Sequence, residues 1–286
     1  MRAPFERFDP TGPETPVVVE VPHAGIEAGA AFLEPMVAPA RSIARDADLY
    51  VDALYEDAPA LGATLRVARA SRYVIDLNRA EKDIDGEVVE GARGDVRMHH
   101  GLVWRTTSDG EAALARRLSA QELEERLELV WRPYHRELAA ILERKRQRFG
   151  IAVLLAAHSM PSVDRGRGGG GGGGARDGAE VAARGRADVV PGSRGRRSAA
   201  GRFIDTVEAH AVAEGWSVRH DEPYAGGFTT QHYGRPADGV HAVQVELARR
   251  LYLDEATLRP LPRFPEVRAW CHALVGKLAQ AAALPL

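Results

Sequence analysis

Apolar residues along the chain fall into short unbroken runs and longer stretches at helical spacing. Pro16 to Val21 (PVVVEV) is a β-branched run that ends in Pro22-His23-Ala24-Gly25, and it predicts a strand. Ile43 to Leu61 carries Leu49, Leu54, Tyr55 and Leu61 near helical spacing and predicts a helix. Thr64 to Ala68 and Tyr73 to Leu77 predict two further extended segments. Ser119 and Glu122 form a capping-box pattern ahead of a single stripe: Leu123, Leu127, Val130, Trp131, Tyr134, Leu138, Ile141 and Leu142. That pattern predicts a long helix stopping near Gly150.

Ile151 to Ala157 (IAVLLAA) is continuously apolar, as in a strand buried on both faces, and gives way to His158-Ser159-Met160. Arg202 to Glu214 predicts a helix, and Trp216 to His220 an extended piece. Val240 to Leu247 alternates, with Ala242, Gln244 and Glu246 on one face. Pro265 to Ala283 predicts a closing amphipathic helix. Strands alternating with helices predict an α/β fold: a central mixed β-sheet flanked by helices on both faces, in one domain over residues 1–286.

Arg165 to Arg197 breaks the pattern. Gly168 to Gly174 is an uninterrupted glycine run with arginines on both sides. Such a stretch buries too little apolar surface to order itself, so a mobile loop is expected. A phosphate-cradling loop would need a Lys-Ser/Thr ending and a following helix, and neither is here. Single-stranded nucleic acid is an unsuitable partner: Asp164, Asp177, Asp188 and Glu180 dilute the basic charge, and stacking aromatics are missing.

Composition narrows the chemistry further. A net charge of -2 gives no general attraction to nucleic acid or anionic lipid. Cys271 is the single cysteine, so any metal must be held by histidines and carboxylates. No apolar run is long enough to span a bilayer, and Met1 to Asp9 lacks a signal-peptide core, so a cytoplasmic protein with no membrane partner is expected.

Three polar groups sit against hydrophobic strands, at the edge where ligands bind in open α/β sheets: His23, His158 and Glu246. A lone histidine beside a strand is more often structural than a ligand. A glutamate in a buried strand is harder to excuse, because an unpaired buried carboxylate is costly. In Ser71 to Arg79, Arg72 and Arg79 flank Asp76 and Asn78, which suits either an anionic substrate or an internal ion pair with Asp76. Asp46, Asp48 and Asp52 form a solvated face, or one of them completes a site of two histidines and a carboxylate, an arrangement that suits catalytic zinc.

These segments together resemble the N-formylglutamate amidohydrolase family. The matching residues are Val21-Pro22-His23-Ala24-Gly25, Arg45-Asp46-Ala47-Asp48 with Asp52-Ala53-Leu54-Tyr55, and Ser71 to Arg79. They continue with Gly101-Leu102-Val103-Trp104-Arg105, His158-Ser159-Met160, Gly226 to Gly234, and Gln244-Val245-Glu246-Leu247 with Leu251-Tyr252. Seven segments in order, from about Val17 to Glu255, make the likeness specific. It implies a fold similar to the zinc carboxypeptidase and aspartoacylase group, and a site hydrolysing N-formyl-L-glutamate as in histidine breakdown.

The resemblance also implies roles. His23 and His158 would be metal ligands for one divalent ion, zinc, and Glu246 the catalytic base. Arg72 would polarise the scissile carbonyl, Asn78 and Arg79 would grip the carboxylate of a small anionic N-acyl amino acid, and His232 would line the pocket. The carboxypeptidase pattern places a glutamate three residues after its first histidine, but Ile26 stands there. The third ligand is then Asp46 or Asp48, with the choice open. The alternatives are a related amidase for another N-acyl amino acid, and a non-catalytic binding protein of the same fold.

Overall fold

The computed structural model describes residues 3–91, 100–164 and 184–284. Six strands form the central sheet: β1 (Phe5–Phe8), β2 (Val17–Val21), β3 (Thr64–Ala68), β4 (Ala152–Met160), β5 (Val189–Gly192) and β6 (Val240–Ala248). Their order is β1-β3-β2-β4-β6-β5. The inner four run parallel, and β1 and β5 close the two edges antiparallel. This is the mixed sheet expected, and every residue of β2, β3, β4, β5 and β6 is buried.

Seven helices concern the argument: α1 (Ala40–Asp46), α2 (Val51–Leu54), α3 (Ala120–Arg126), α4 (Arg132–Phe149), α5 (Gly201–Ala213), α6 (Phe228–Tyr233) and α7 (Phe264–Ala283). One face of the sheet, with Val17, Val19, Leu155 and Val245, packs in a core shared with α5 and α7. The other, with Val18, Leu154 and Ala242, packs in a core shared with α3 and α4. Ser119 caps α3 with the reciprocal bonds of a capping box, and Gly150 ends α4 at φ 78°, a left-handed conformation that glycine adopts without steric cost. A single π-helical turn, Leu127–Trp131, joins α3 to α4.

Four local expectations are corrected. The helix expected over Ile43 to Leu61 is three short pieces, α1, α2 and a 3₁₀ turn at Ala58–Leu61, because Ala47 is extended and Tyr50 left-handed. Tertiary bonds to Asp48 outweigh propensity there. Tyr73 to Leu77 is a turn instead of a strand: Val74 N–H donates to Ser71 O, and Asn78 N–H to the Asp76 side chain. Trp216 to His220 keeps only one bridge, Val218 beside Val189. The expected loop over Arg165 to Arg197 lies outside the described residues for 165–183, but its last part contains β5, a buried edge strand where Pro191 is tolerated.

Candidate active site

The sheet's parallel strands set the site by register. His158 lies directly beside Glu246 across β4 and β6, and Ala156 beside Gln244, so all four share one face. His23 follows the carboxyl end of β2. The segment carrying it passes so close to β3 that a Cβ on Gly25 would lie 2.4 Å from the Arg69 carbonyl. The break after α1 lets Asp48 N–H donate to His23 O at 2.9 Å, which turns the aspartate toward the histidines.

His23, Asp48 and His158 are all buried, and a ligand atom from each lies within 4.8 Å of the others. Asp48 Oδ2 is 3.6 Å from His23 Nδ1 and 3.1 Å from His158 Nδ1. Asp48 Oδ1 accepts from Ser159 Oγ and Arg249 Nη2, both at 3.3 Å. Burial opposes its ionisation, but the bonds from His158 and His23 hold Asp48 well below the usual carboxylate range. Asp46 points elsewhere: its Oδ2 accepts from Tyr73 Oη and, at 3.1 Å, from Ser108 N–H. The geometry therefore singles out Asp48 as the carboxylate beside the two histidines.

Behind His23 stands Asp76, with no exposure at all. His23 Nε2–H donates to its Oδ1 at 2.7 Å. Arg72 donates to its Oδ2 through Nε at 3.2 Å and Nη2 at 2.8 Å, and Trp104 Nε1–H adds a bond at 3.0 Å. Burial again opposes the charge, while Arg72 and His23 keep Asp76 well below its ordinary value. A carboxylate so placed fixes the ring of His23 and leaves Nδ1 facing Asp48. The sequence offered Asp76 only as an ion-pair partner of a neighbouring arginine; its link to His23 spans 53 residues.

The remaining expected residues divide. Glu246 is buried, and Gln244 Nε2 donates to its Oε1 at 2.9 Å. Burial lifts its pKa above the ordinary glutamate range, against the pull of the His158 charge. Arg72 lies over the Trp104 ring, 4.3 Å from its centroid, and Nη1 donates to Asp46 O at 3.3 Å. The Asn78 amide is fully engaged within the protein. Nδ2 reaches His158 Nε2 at 3.3 Å and Gln244 Oε1 at 3.4 Å, and Oδ1 accepts from Thr229 N–H and Oγ1. These contacts tie Asn78 to His158, Gln244 and Thr229.

Arg79 is half-buried, and its guanidinium forms no ion pair or hydrogen bond with the described residues. Its charge lowers the pKa of Asp76 and of His100, in each case as a minor contribution. His232 is on the exposed side of α6, stacked on Phe228 at 4.9 Å between centroids, and it makes no bond to the triad. Gly227, in the matched Gly226 to Gly234 segment, and Tyr224, which the sequence left unmarked, also adjoin the site. Gly227 N–H donates to Gln244 Oε1 at 2.9 Å, and Tyr224 is close enough to Glu246 for that charge to raise its pKa, after burial.

A family model described as N-formylglutamate amidohydrolase matches residues 15–253. Two proteins named N-formylglutamate deformylase are similar to the chain. The one from Pseudomonas putida is 35% identical over 246 residues, covering 84% of this chain and 82% of its own. The one from Pseudomonas aeruginosa is 34% identical over 247 residues, covering 84% and 83%. The crystal structure of an N-formylglutamate amidohydrolase from Ralstonia eutropha superposes with a TM-score of 0.86 at 30% identity, over 97% of this chain and 98% of that one. A gene product from Agrobacterium tumefaciens, at 18% identity and a TM-score of 0.62, shares the fold.

Proposed function

The chain belongs to the N-formylglutamate amidohydrolase family and is a hydrolase acting on an amide bond, and from that premise we propose that it hydrolyses N-formyl-L-glutamate to formate and L-glutamate at a metal centre on His23, Asp48 and His158. The observation that carries this reading is the meeting of those three buried groups beside a buried glutamate whose pKa is raised. The donor set suits a divalent ion. Two imidazoles and one ionised carboxylate offer three ligand atoms, and the second nitrogen of the His23 ring is already held, by Asp76. Such an ion, zinc in this reading, would supply a water of lowered pKa and polarise the formyl carbonyl.

The residues of the chain do the rest. Glu246, whose pKa burial raises above the ordinary glutamate range, acts in its ionised form: it accepts the proton of the attacking water and delivers it to the leaving amine. Arg72 spends three donors on Asp76 and Asp46, which leaves two of its five for the developing oxyanion. Arg79, which pairs with no carboxylate among the described residues, binds the substrate's α-carboxylate and fixes the formyl group over the triad. Asn78 and Gln244 link His158, Glu246 and the Gly227 strip into one frame. The cytoplasmic, histidine-degrading setting rests on the family resemblance alone.

The test is formate release from N-formyl-L-glutamate by purified protein, before and after a chelator and with zinc restored. Formate that disappears with the metal and returns with it supports the reading. No formate from folded, metal-loaded protein discards the substrate, and formate that survives stripping discards the metal.

A further inference from the structure

The proposed substrate carries two carboxylates, and Arg79 accounts for one. Directly after the edge strand β5, the chain makes a turn in which Arg194, Gly195 and Arg196 all have positive φ, at 57°, 71° and 61°. A left-handed arginine is strained, and such conformations persist only where the surroundings impose them. Here Asp221 accepts from Ser193 N–H at 2.6 Å and from Gly195 N–H, while Ser193 Oγ accepts from Arg196 N–H at 2.9 Å. His220 bridges Ser193 Oγ, at 2.7 Å, to Glu208, at 2.6 Å. The turn is pinned on every side.

What the turn presents is Arg194. Its N–H donates to Ala225 O at 2.7 Å and its Nη1 to Gly226 O at 3.2 Å. The side chain is half-buried and pairs with no carboxylate among the described residues. The strip it lies along, Tyr224 to Gly227, begins beside Glu246 and ends against Asn78, so closely that a Cβ on Gly227 would lie 2.3 Å from Asn78 Nδ2. Arg79 is the next residue in the chain. Two arginines that pair with no carboxylate among the described residues thus lie along this strip: Arg194, from the turn after β5, on Gly226 O, and Arg79, next to the Asn78 that Gly227 packs against.

Resting on the proposed hydrolysis, we infer that Arg194 is the specificity residue: it binds the side-chain carboxylate of the N-formyl amino acid, while Arg79 binds the α-carboxylate. A planar guanidinium anchored by one N–H to a backbone carbonyl keeps its other N–H groups fixed for a carboxylate. The substrate class is an N-formyl dicarboxylic amino acid, and the neutral amide analogue is the substrate this residue discriminates against.

The experiment compares N-formyl-L-glutamate with N-formyl-L-glutamine, which differ only in side-chain charge, in the metal-loaded full chain. Arg194→Gln should lose roughly 10- to 100-fold in kcat/KM on formylglutamate, chiefly through KM, the range expected for a hydrogen bond to a charged group. Its kcat/KM on formylglutamine should stay within about threefold, and Arg79→Gln should lower both substrates alike. Arg194→Lys keeps the charge without the fork and should fall between. Any L side chain shares the left-handed strain at this position, so neither variant adds to it. Equal losses on both substrates, or none, in Arg194→Gln would overturn the assignment. If that variant fails to fold, Arg194→Lys with undiminished discrimination overturns it instead. A wild type inactive on both substrates defeats the proposed hydrolysis, a result distinct from either.

Discussion

Replacing Asp76 by Asn separates the support of the metal centre from the centre itself. The carboxylate receives five hydrogen bonds from four residues: His23, Arg72 (twice), Trp104 and the Asn78 backbone. Asn supplies one acceptor oxygen and one NH₂ group, so either His23 or the Arg72–Trp104 pair meets a donor where it had an acceptor. Removing one partner of a buried ion pair costs about 3–5 kcal/mol. Arg72 keeps Asp46 O and its stack on Trp104, and it lies within reach of the Asp48 charge, so about 3 kcal/mol is the appropriate figure. For a chain of this size that is a fall in Tm of roughly 6–10 °C. Freeing the His23 ring should also weaken metal binding about 10- to 100-fold. Thermal unfolding of the metal-free protein reads the first effect, and zinc titration in competition with a chromophoric chelator reads the second. A variant within about 2 °C and about twofold of wild type would refute the claim that Asp76 orients His23.

Asp48→Asn should abolish stoichiometric zinc binding, whereas Asp46→Asn should keep the metal and lose about 1–3 kcal/mol of stability from its bonds to Tyr73 and Ser108; metal analysis after gel filtration, with a melt, checks both. Because Glu246 must be ionised to accept a proton and burial raises its pKa, kcat/KM should fall with acidity along a limb above pH 4.5, the ordinary glutamate value; a plateau reaching down to that pH would speak against Glu246 as the base. Burial pushes His135 down to about 3 from an ordinary 6.5, so between those values the unfolded chain binds the extra proton and stability rises with pH. Stability should therefore be lost as pH falls from about 6.5 toward 3, and denaturant melts of His135→Gln should show a shallower acid loss.

The frame of the site was legible because its strands are buried on both faces and read as unbroken apolar runs. His23 falls just past the end of β2, His158 inside β4 near the end of its pairing, and Glu246 is conspicuous as a charge inside β6. The capping box at Ser119 and the stop at Gly150 are local signals, and they hold. What the sequence left open depends on long-range contacts. Choosing Asp48 over Asp46 rests on the extended Ala47 and on the bond from Asp48 N–H to His23 O, which no local pattern encodes. The ties of Asn78 to His158 and Thr229 were not legible, because those partners are 80 and 151 residues away. Arg194 was hidden in a glycine- and arginine-biased stretch, whose last part is ordered by pairing with β6 and by Asp221.

The central claim is that Glu246 moves the proton at a metal centre it does not help to hold. Glu246→Gln, assayed for formate release from N-formyl-L-glutamate alongside its zinc content, tests this most directly. The expected result is about one zinc per chain, as in wild type, with turnover lower by roughly 10²- to 10⁴-fold. Undiminished formate release from the variant would contradict the role of Glu246, and loss of the zinc together with activity would make it a ligand instead of the base.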